Sequence, residues 1–597
     1  MNVLGLGTEG DSGAAVVKDG RLVSAINEER LSRLKLVVGF PRDSLREALR
    51  LAELDTASLD AVLVGGTRDL FVDELEPFDG WFQTKASGLG GLLKRTAGRF
   101  AGLRDELPFL ESAYYASLSP TFAKRRRNLR RLLEREFGVT CPIEFVDHHS
   151  CHLTAAYYTS GFDDALVLSI DGGGDALSGL VYAVRDGKWE RLHEVSAYDS
   201  LGNYYAYVTH LCGFKAMKHE GKITGLAAHG EPKYVGCLEE FVRFENGGFV
   251  NCGRVAHMGA IRALDKRLPK GWTREDLAAS IQQHTENLTR SFVGWWVDRS
   301  GMENVALAGG VFANVRVNQE VHELPSVRRI FIHPHMGDGG LAAGAALAAG
   351  LGGVPPEGPR QQVEAIPHVY LGSTITDEDA KAALEDMGLE AEPLDEPLAA
   401  VVAKLLADGH VVARAAGGME YGPRALGNRT IMYHPSDPDV NHWLNANLNR
   451  TEFMPFAPAV LAEERDRCFH DIEGAEHAAE FMTITFQCTE WMKNHMPGVV
   501  HIDGTARPQL VRSDRNPGFH EIIREFHERT GLPAIINTSF NMHEEPIVCT
   551  AKDAVRAFLD GNLDYLVLGS FLVRHPAGIN HPLKSVEESL GSALPAG

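Results

Sequence analysis

The chain has no C-x-x-C pair. Its eight cysteines, Cys141, Cys151, Cys212, Cys237, Cys252, Cys468, Cys488 and Cys549, are thinly scattered over 597 residues, which argues against a disulfide framework. Positive charge is also scarce. Lys plus Arg number 59 against 80 Asp plus Glu, a formal net charge of −21, and this balance disfavours a nucleic-acid backbone as the main partner while leaving room for local basic pockets. No uninterrupted apolar run reaches the ~20 residues that span a bilayer. The opening Met1-Asn2-Val3-Leu4-Gly5-Leu6 carries no cationic leader, so we expect a cytoplasmic protein. What remains is ordinary globular composition, 44% hydrophobic and 23% charged, and too long for one core, so two or more domains are expected.

A repeat organises the first half. Val3-Leu4-Gly5-Leu6-Gly7 leads through the polar turn Glu9-Gly10-Asp11-Ser12 to Ala14-Ala15-Val16-Val17, then through Asp19-Gly20 to Leu22-Val23-Ser24-Ala25-Ile26. The pattern returns as Ala165-Leu166-Val167-Leu168-Ser169-Ile170, Asp171-Gly172-Gly173-Gly174-Asp175, Gly179-Leu180-Val181-Tyr182-Ala183-Val184 and the hairpin turn Asp186-Gly187. Two copies of strand, glycine-acid loop, strand, turn, strand predict a duplicated ribonuclease-H-like α/β domain of the actin and sugar-kinase ATPase type, whose glycine turns offer backbone N–H groups to phosphate. A third glycine turn, Gly309-Gly310-Val311-Phe312-Ala313-Asn314, follows an apolar strand and opens a helix. Gly309, Gly310 and Asn314 are therefore candidates for holding adenosine or phosphate at a helix N-terminus.

His148 and His152 stand four apart in Val146-Asp147-His148-His149-Ser150-Cys151-His152. On a helix that spacing puts both imidazoles on one face, where their nitrogens can converge on one ion. Asp171, in the second acidic turn, and Asp338, in His335-Met336-Gly337-Asp338-Gly339-Gly340, offer carboxylates to complete the shell. Imidazole plus carboxylate, with no thiolate at ligand spacing, suits Fe(II), Mn(II) or Zn(II) with positions left open for substrate. The same two histidines also read as ordinary capping or core residues.

Between the halves lies an insertion, about 71–137, with the basic run Lys124-Arg125-Arg126-Arg127-Asn128-Leu129-Arg130-Arg131-Leu132-Leu133. Leu129, Leu132, Leu133 and Phe137 form one apolar stripe, so the run reads as a solvated amphipathic helix. Gly and Pro cluster at Gly350–Pro359 and mark a linker. We place the boundary there: 1–358 for the first domain and 359–597 for the second, whose early helix, from about Asp377, is expected to pack back on the first. In the second domain, Glu420-Tyr421-Gly422-Pro423-Arg424-Ala425-Leu426-Gly427-Asn428-Arg429 sets two arginines around a Pro-initiated turn, a layout that grips phosphate or carboxylate. Arg507 and the loop Asn537-Thr538-Ser539-Phe540-Asn541 add a further cation with amide and hydroxyl donors.

These motifs, in this order, resemble the O-carbamoyltransferase family often labelled NodU/CmcH. Those that carry the resemblance are Glu28-Glu29-Arg30 with Gly39-Phe40-Pro41, the His148 and His152 pair, Asp171–Asp175, Gly221-Lys222-Ile223-Thr224-Gly225-Leu226, Gly337-Asp338, Gly422–Arg429, Pro455-Phe456-Ala457-Pro458, and Asn537–Asn541 followed by Glu545-Pro546-Ile547-Val548. The resemblance implies a metal-binding ATPase-like first domain and a YrdC-like α/β second domain that forms carbamoyl adenylate from carbamoyl phosphate and ATP, with Mg2+ accompanying ATP. It implies Fe(II) held by His148, His152, Asp171 and Asp338, and phosphates gripped by Arg424, Arg429, Arg507, Asn537 and Ser539, with Lys222 in the nucleotide set. The implied acceptor is a hydroxyl of a small secondary metabolite such as an antibiotic or sugar, with no nucleic-acid or membrane partner, and a homodimer is allowed. A tRNA threonylcarbamoyladenosine-type transferase is the alternative, opposed by the acidic charge.

Two departures stand out. Relatives commonly carry a histidine where this chain has Gly10, so the general base is left to Asp11 or His149. Relatives also often carry a lysine and an arginine where Leu448 and Met454 stand, with Arg450 nearby.

Overall fold

The computed structural model describes residues 1–68, 70, 75–78, 80, 109–349, 363–448, 456–578 and 581–591, the side chains of 109–117 aside. The chain is mixed α/β and divides into two compact units, Met1–Ala25 with Leu36–Ala365, and Ile26–Lys35 with Ile366–Gly597. The expected linker and the break after residue 358 lie outside the described residues. The segment Ile26–Lys35 joins the second unit through its arginines: Arg30 donates to the Gly422 carbonyl at 2.8 Å, and Arg33 to those of Pro546 and Ile547, each at 2.8 Å. The helix Asp377–Met387 groups with the second unit; Asp377 there accepts the Ser570 hydroxyl and backbone N–H.

The repeat in the sequence is a repeat in space. Strands β1 (Asn2–Gly7), β2 (Gly13–Lys18), β3 (Arg21–Asn27), β4 (Ala61–Gly65) and β5 (Ile143–Val146) lie in the order β3-β2-β1-β4-β5. Strands β6 (Ala165–Gly174), β7 (Leu177–Arg185), β8 (Lys188–Ser196), β9 (Asn304–Ala308) and β10 (Arg329–Ile332) lie in the order β8-β7-β6-β9-β10. In each sheet the first strand pairs antiparallel with the second and parallel with the fourth, which pairs parallel with the fifth. This is the ribonuclease-H topology, twice. The Asp-Gly turns behave as their composition requires: Asp19 and Gly20, Asp186 and Gly187 all have positive φ, from 49° to 82°, the twist that closes a two-residue hairpin.

The helix α1 (Phe109–Phe137) carries the basic run, with Leu129 and Leu133 fully buried and Arg127, Arg130 and Arg131 exposed. After β5 comes α2 (His148–Ser160), buried along its whole length and capped by Asp147, whose side chain accepts the Ser150 N–H at 3.0 Å. The helix α3 (Leu341–Leu347), entirely apolar and buried, packs against both α2 and β1. Glycine makes this approach feasible. A Cβ on Gly344 would stand 1.9 Å from the Cys151 carbonyl oxygen of α2, and one on Gly5 1.9 Å from the Ala342 carbonyl oxygen of α3.

In the second unit β11 (Val412–Ala415), β12 (Arg429–Tyr433), β13 (Ala457–Leu461), β14 (Gln509–Val511), β15 (Ala534–Ser539), β16 (Tyr565–Leu568) and β17 (Phe571–Arg574) form one seven-stranded mixed sheet in the order β14-β13-β15-β12-β11-β16-β17. Only β13–β14 and β11–β16 are parallel.

Because α3 carries Asp338 at its leading turn, its seating against α2 controls the metal cluster described below. Gly344→Ala is expected to cost about 1–3 kcal/mol of unfolding free energy or more by overpacking, and to lower metal retention with it. Denaturant unfolding with parallel metal analysis tests this; a wild-type midpoint would show that the close approach is not needed.

Candidate metal centre and anion site

Four side chains converge in the first unit. The first turn of α2 brings His148 Nε2 and His152 Nε2 to 3.2 Å of each other, as the i, i+4 spacing demands. Asp171, near the end of β6, places Oδ2 3.1 Å from His152 Nε2 and 3.5 Å from His148 Nε2. Asp338, in the turn leading into α3, places Oδ1 3.7 and 3.8 Å from the same nitrogens. The histidine side chains are 1% exposed and that of Asp171 9%, while that of Asp338 is 33% exposed, so the cluster is open on the Asp338 side. All four ligand atoms lie within 4.8 Å of one another.

The residues around the cluster hold it in a ligating pose. Glu9, buried, meets His148 Nδ1 at 3.0 Å, the carboxylate–imidazole pairing that fixes a ligand's tautomer. Asp175 accepts the His148 backbone N–H at 2.9 Å, and those of Thr67 and Arg68. Of the glycines between the two aspartates, Gly174 makes room for the imidazole: a Cβ there would stand 2.2 Å from the His148 ring. Where a phosphate-cradling turn was expected, the structure has a bulged extension of β6 on which His148 rests. Burial opposes charge on every member, yet Glu9, Asp171 and Asp338 hold the His148 imidazolium well above its ordinary range. Burial would likewise raise Asp171, but the two histidines hold it well below the carboxylate range, whereas burial and the Asp171 charge push Asp338 well above it. Two imidazoles, two carboxylates and an open side fit a divalent first-row ion.

Asp11 lies beside this opening. Its φ of 58° holds the carboxylate in a left-handed turn, and Oδ2 lies 3.1 Å from His335 Nε2. A Cβ on Gly10 would stand 3.1 Å from Asp338 Oδ2, so the missing side chain at Gly10 is space next to a ligand. His149 is placed otherwise. It is fully buried, with Nδ1 2.9 Å from the Ser169 hydroxyl and Nε2 enclosed without a hydrogen-bond partner, and burial followed by the two neighbouring histidines lowers its pKa to about 3. A neutral core imidazole is what that environment makes.

Of the third turn, Gly309 and Gly310 pack onto β6. A Cβ on Gly309 would meet the Ile170 carbonyl at 2.3 Å, and one on Gly310 the Asp171 Oδ1 at 2.8 Å. Asn314 caps the helix Val315–His322 by accepting the Arg316 and Val317 N–H groups, and it exchanges hydrogen bonds with Gln282. Lys222 is partly exposed on the helix Glu220–Ala227.

In the second unit Glu420 organises the arginine loop: its Oε1 accepts the backbone N–H of Leu426 and Asn428 at 2.8 Å and of Arg429 at 3.1 Å. Arg429 differs from its expected role. It is fully buried, and its guanidinium donates to the carbonyls of Ala416, Gly417, Asn428 and Ser373, which makes it a brace for the loop. Asn537 is similarly committed, donating to the Ala425 carbonyl and to Gln509. Arg424 and Arg507 remain as the partly buried cationic pair. Burial and the Arg424 charge depress the Arg507 guanidinium well below its ordinary range, and its Nε is buried with no hydrogen-bond partner. A guanidinium buried beside a like charge in this way suits an anion. Ser539 ends β15 partly exposed. Met454 and Arg450 lie outside the described residues; Leu448 is fully buried.

Comparison with known proteins agrees along the chain. Residues 2–347 match the model of the carbamoyltransferase N-terminus and residues 403–575 that of the carbamoyltransferase C-terminus. Nodulation protein NolNO of Sinorhizobium fredii is 32% identical over 94% of this chain and 79% of its own length. Nodulation protein NolO of Bradyrhizobium diazoefficiens is 34% identical over 73% of this chain and 80% of its own length. Nodulation protein U of Rhizobium tropici is 25% identical over 95% of each chain.

The cluster and its brace make separate demands. His148→Ala and His152→Ala should each remove most bound metal. Glu9→Gln should leave the site intact but weaken it about 10- to 100-fold. Elemental analysis and competition with a chromophoric chelator read both; full metal content in the histidine variants would remove the assignment.

Proposed function

The chain belongs to the carbamoyltransferase family, and from that premise we propose that it carries a carbamoyl group from carbamoyl phosphate, through carbamoyl adenylate formed with ATP, to a hydroxyl of a small metabolite. The observation that supports this most is the presence in one chain of two unlike sites: a buried imidazole–carboxylate cluster open at Asp338, and the Arg507 guanidinium held by burial beside the like charge of Arg424. Such a division suits an unstable intermediate made at one site and used at another.

In the second unit, water hydrolyses carbamoyl phosphate to phosphate and carbamate, the carbamate oxygen bonds to the α-phosphorus of ATP, and pyrophosphate leaves. Carbamate is short-lived in water, so enclosure preserves it. Arg424 and Arg507 hold the phosphate oxygens and stabilise charge on the pentacoordinate phosphorus. In the first unit, His148, His152, Asp171 and Asp338 would hold a divalent ion, Fe(II) by family resemblance, which would supply Lewis-acid polarisation when bound. The acceptor oxygen bonds to the carbonyl carbon, AMP departs, and the hydroxyl proton passes to Asp11, whose carboxylate His335 orients. A cavity of about 940 Å³ has Thr67 and Ala176, which flank the Asp175 brace, on one side and Phe122 and Arg126 of α1 on another. We assign acceptor selection to this cavity, which the insertion helps to line. The net charge of −21 weighs against tRNA as that acceptor.

A mass-shift assay with carbamoyl phosphate, ATP and candidate metabolites tests the reaction; ADP as the stoichiometric nucleotide product would refute it. Asp11→Asn should slow acceptor carbamoylation about 10²- to 10⁴-fold at normal metal content, and a change under tenfold would remove Asp11 as the base. Arg507→Ala should slow pyrophosphate release about a hundred- to thousandfold, ~2.7–4 kcal/mol of barrier, yet still transfer preformed carbamoyl adenylate. Loss of both half-reactions would refute the two-site division.

A further inference from the structure

The second unit holds another convergence of ligating groups. His410 precedes β11 and Asp564 precedes β16, and because these strands pair in parallel with Val412 opposite Tyr565, both residues stand at the same end of the sheet. The segment after β17 returns to bring His581 beside them. Asp564 Oδ2 lies 2.8 Å from His581 Nε2 and 3.6 Å from His410 Nδ1, and all three ligand atoms lie within 4.8 Å of one another. The side chains of Asp564 and His581 are 4% and 8% exposed, that of His410 38%.

An aspartate–histidine hydrogen bond accounts for Asp564 and His581 alone; His410 is the residue it leaves over. Its Nδ1 is buried without a hydrogen-bond partner and faces a carboxylate oxygen at a distance too long for one. Buried polar atoms in native proteins are met by something. An ion about 2.0–2.1 Å from each ligand would meet it, because it sets neighbouring ligand atoms about 3.3 Å apart, close to what is seen here. The separations in the His148 cluster, from 3.1 to 3.8 Å, have the same character.

We propose that His410, Asp564 and His581 form a second metal site for a first-row divalent cation such as Zn(II), with solvent in the remaining position. Its place defines its role. Just beyond His581, the Lys584 carbonyl accepts the Tyr433 hydroxyl at 2.7 Å and His434 Nε2 at 2.6 Å, and the Lys584 N–H donates to Asp437. The ion fastens this C-terminal strap to the end of the seven-stranded sheet. This site is independent of the carbamoyl chemistry and of the His148 cluster.

The test counts zinc on the full chain after chelator treatment, reloading with ZnCl2 and removal of excess, with circular dichroism as the check of folding. Wild type should hold two equivalents, His410→Gln one, His148→Ala/His152→Ala one, and the combination none. His410 is the residue to change because it is partly exposed and supports no hydrogen bond through Nδ1; His581→Gln is the second variant. No zinc on the His148/His152 double variant would overturn the proposal, as would one equivalent there that survives both His410→Gln and His581→Gln. Failure of the first centre reads differently: wild type would then hold a single ion, lost with His410→Gln and kept by the double variant.

Discussion

Everything at the first site depends on backbones meeting more closely than side chains permit. The helix Leu341–Leu347 lies against the histidine helix at Gly344 and against the first strand at Gly5, and at each contact a Cβ would fall 1.9 Å from a carbonyl oxygen. Gly65 adds a third such point, its Cβ position 3.1 Å from that of Leu341. Only with that helix seated does Asp338, 186 residues beyond His152 by their numbering, reach the imidazoles. The cluster is therefore a product of tertiary packing, and its geometry is as firm as the core that carries it.

The second unit meets the opposite problem. There the loop Gly422–Arg429 must present cations and still fold without its ligand. Glu420 gathers three backbone N–H groups, and Arg429 satisfies four carbonyls. These two buried groups brace the loop from inside the protein. Arg424 and Arg507 stand outside that arrangement, and the depression of the Arg507 guanidinium is what burial beside a like charge produces. Rigid support and like-charged crowding thus fall to different arginines of the second unit.

Much of this was legible in the sequence, and the limit has a physical form. The duplicated sheet showed through Asp-Gly turns and alternating strands, and the histidine pair through helical spacing, because both are local. Glu9, Asp175 and His335 were invisible as site residues: their partners lie 139, 27 and 324 residues away, and nothing local marks a carboxylate as a brace for an imidazole. Arg429, Asn314 and Asn537 show the converse. Their types suit phosphate binding, but whether a donor meets a ligand or a carbonyl is decided by which backbone passes it. The union of Ile26–Lys35 with the second unit is of the same kind, set by Arg30 and Arg33 finding carbonyls nearly four hundred and more than five hundred residues away.

Charge then explains why the cluster wants a cation. Asp171, Asp175 and Asp338 have no Lys or Arg ion-pair partner among the described residues; the cationic groups they meet are histidines. Asp175 escapes the cost by accepting three backbone N–H groups. Asp171 and Asp338 cannot, since their oxygens are turned toward the two imidazoles and toward each other, and burial penalises both charges. Without an ion, the cluster must divide protons between His148 and Asp338 to remain tolerable. A divalent ion replaces those protons with one centre of charge and leaves all four groups as ligands. The opening at Asp338, with the Asp11–His335 pair beside it, then gives a substrate a direction from which to approach that charge.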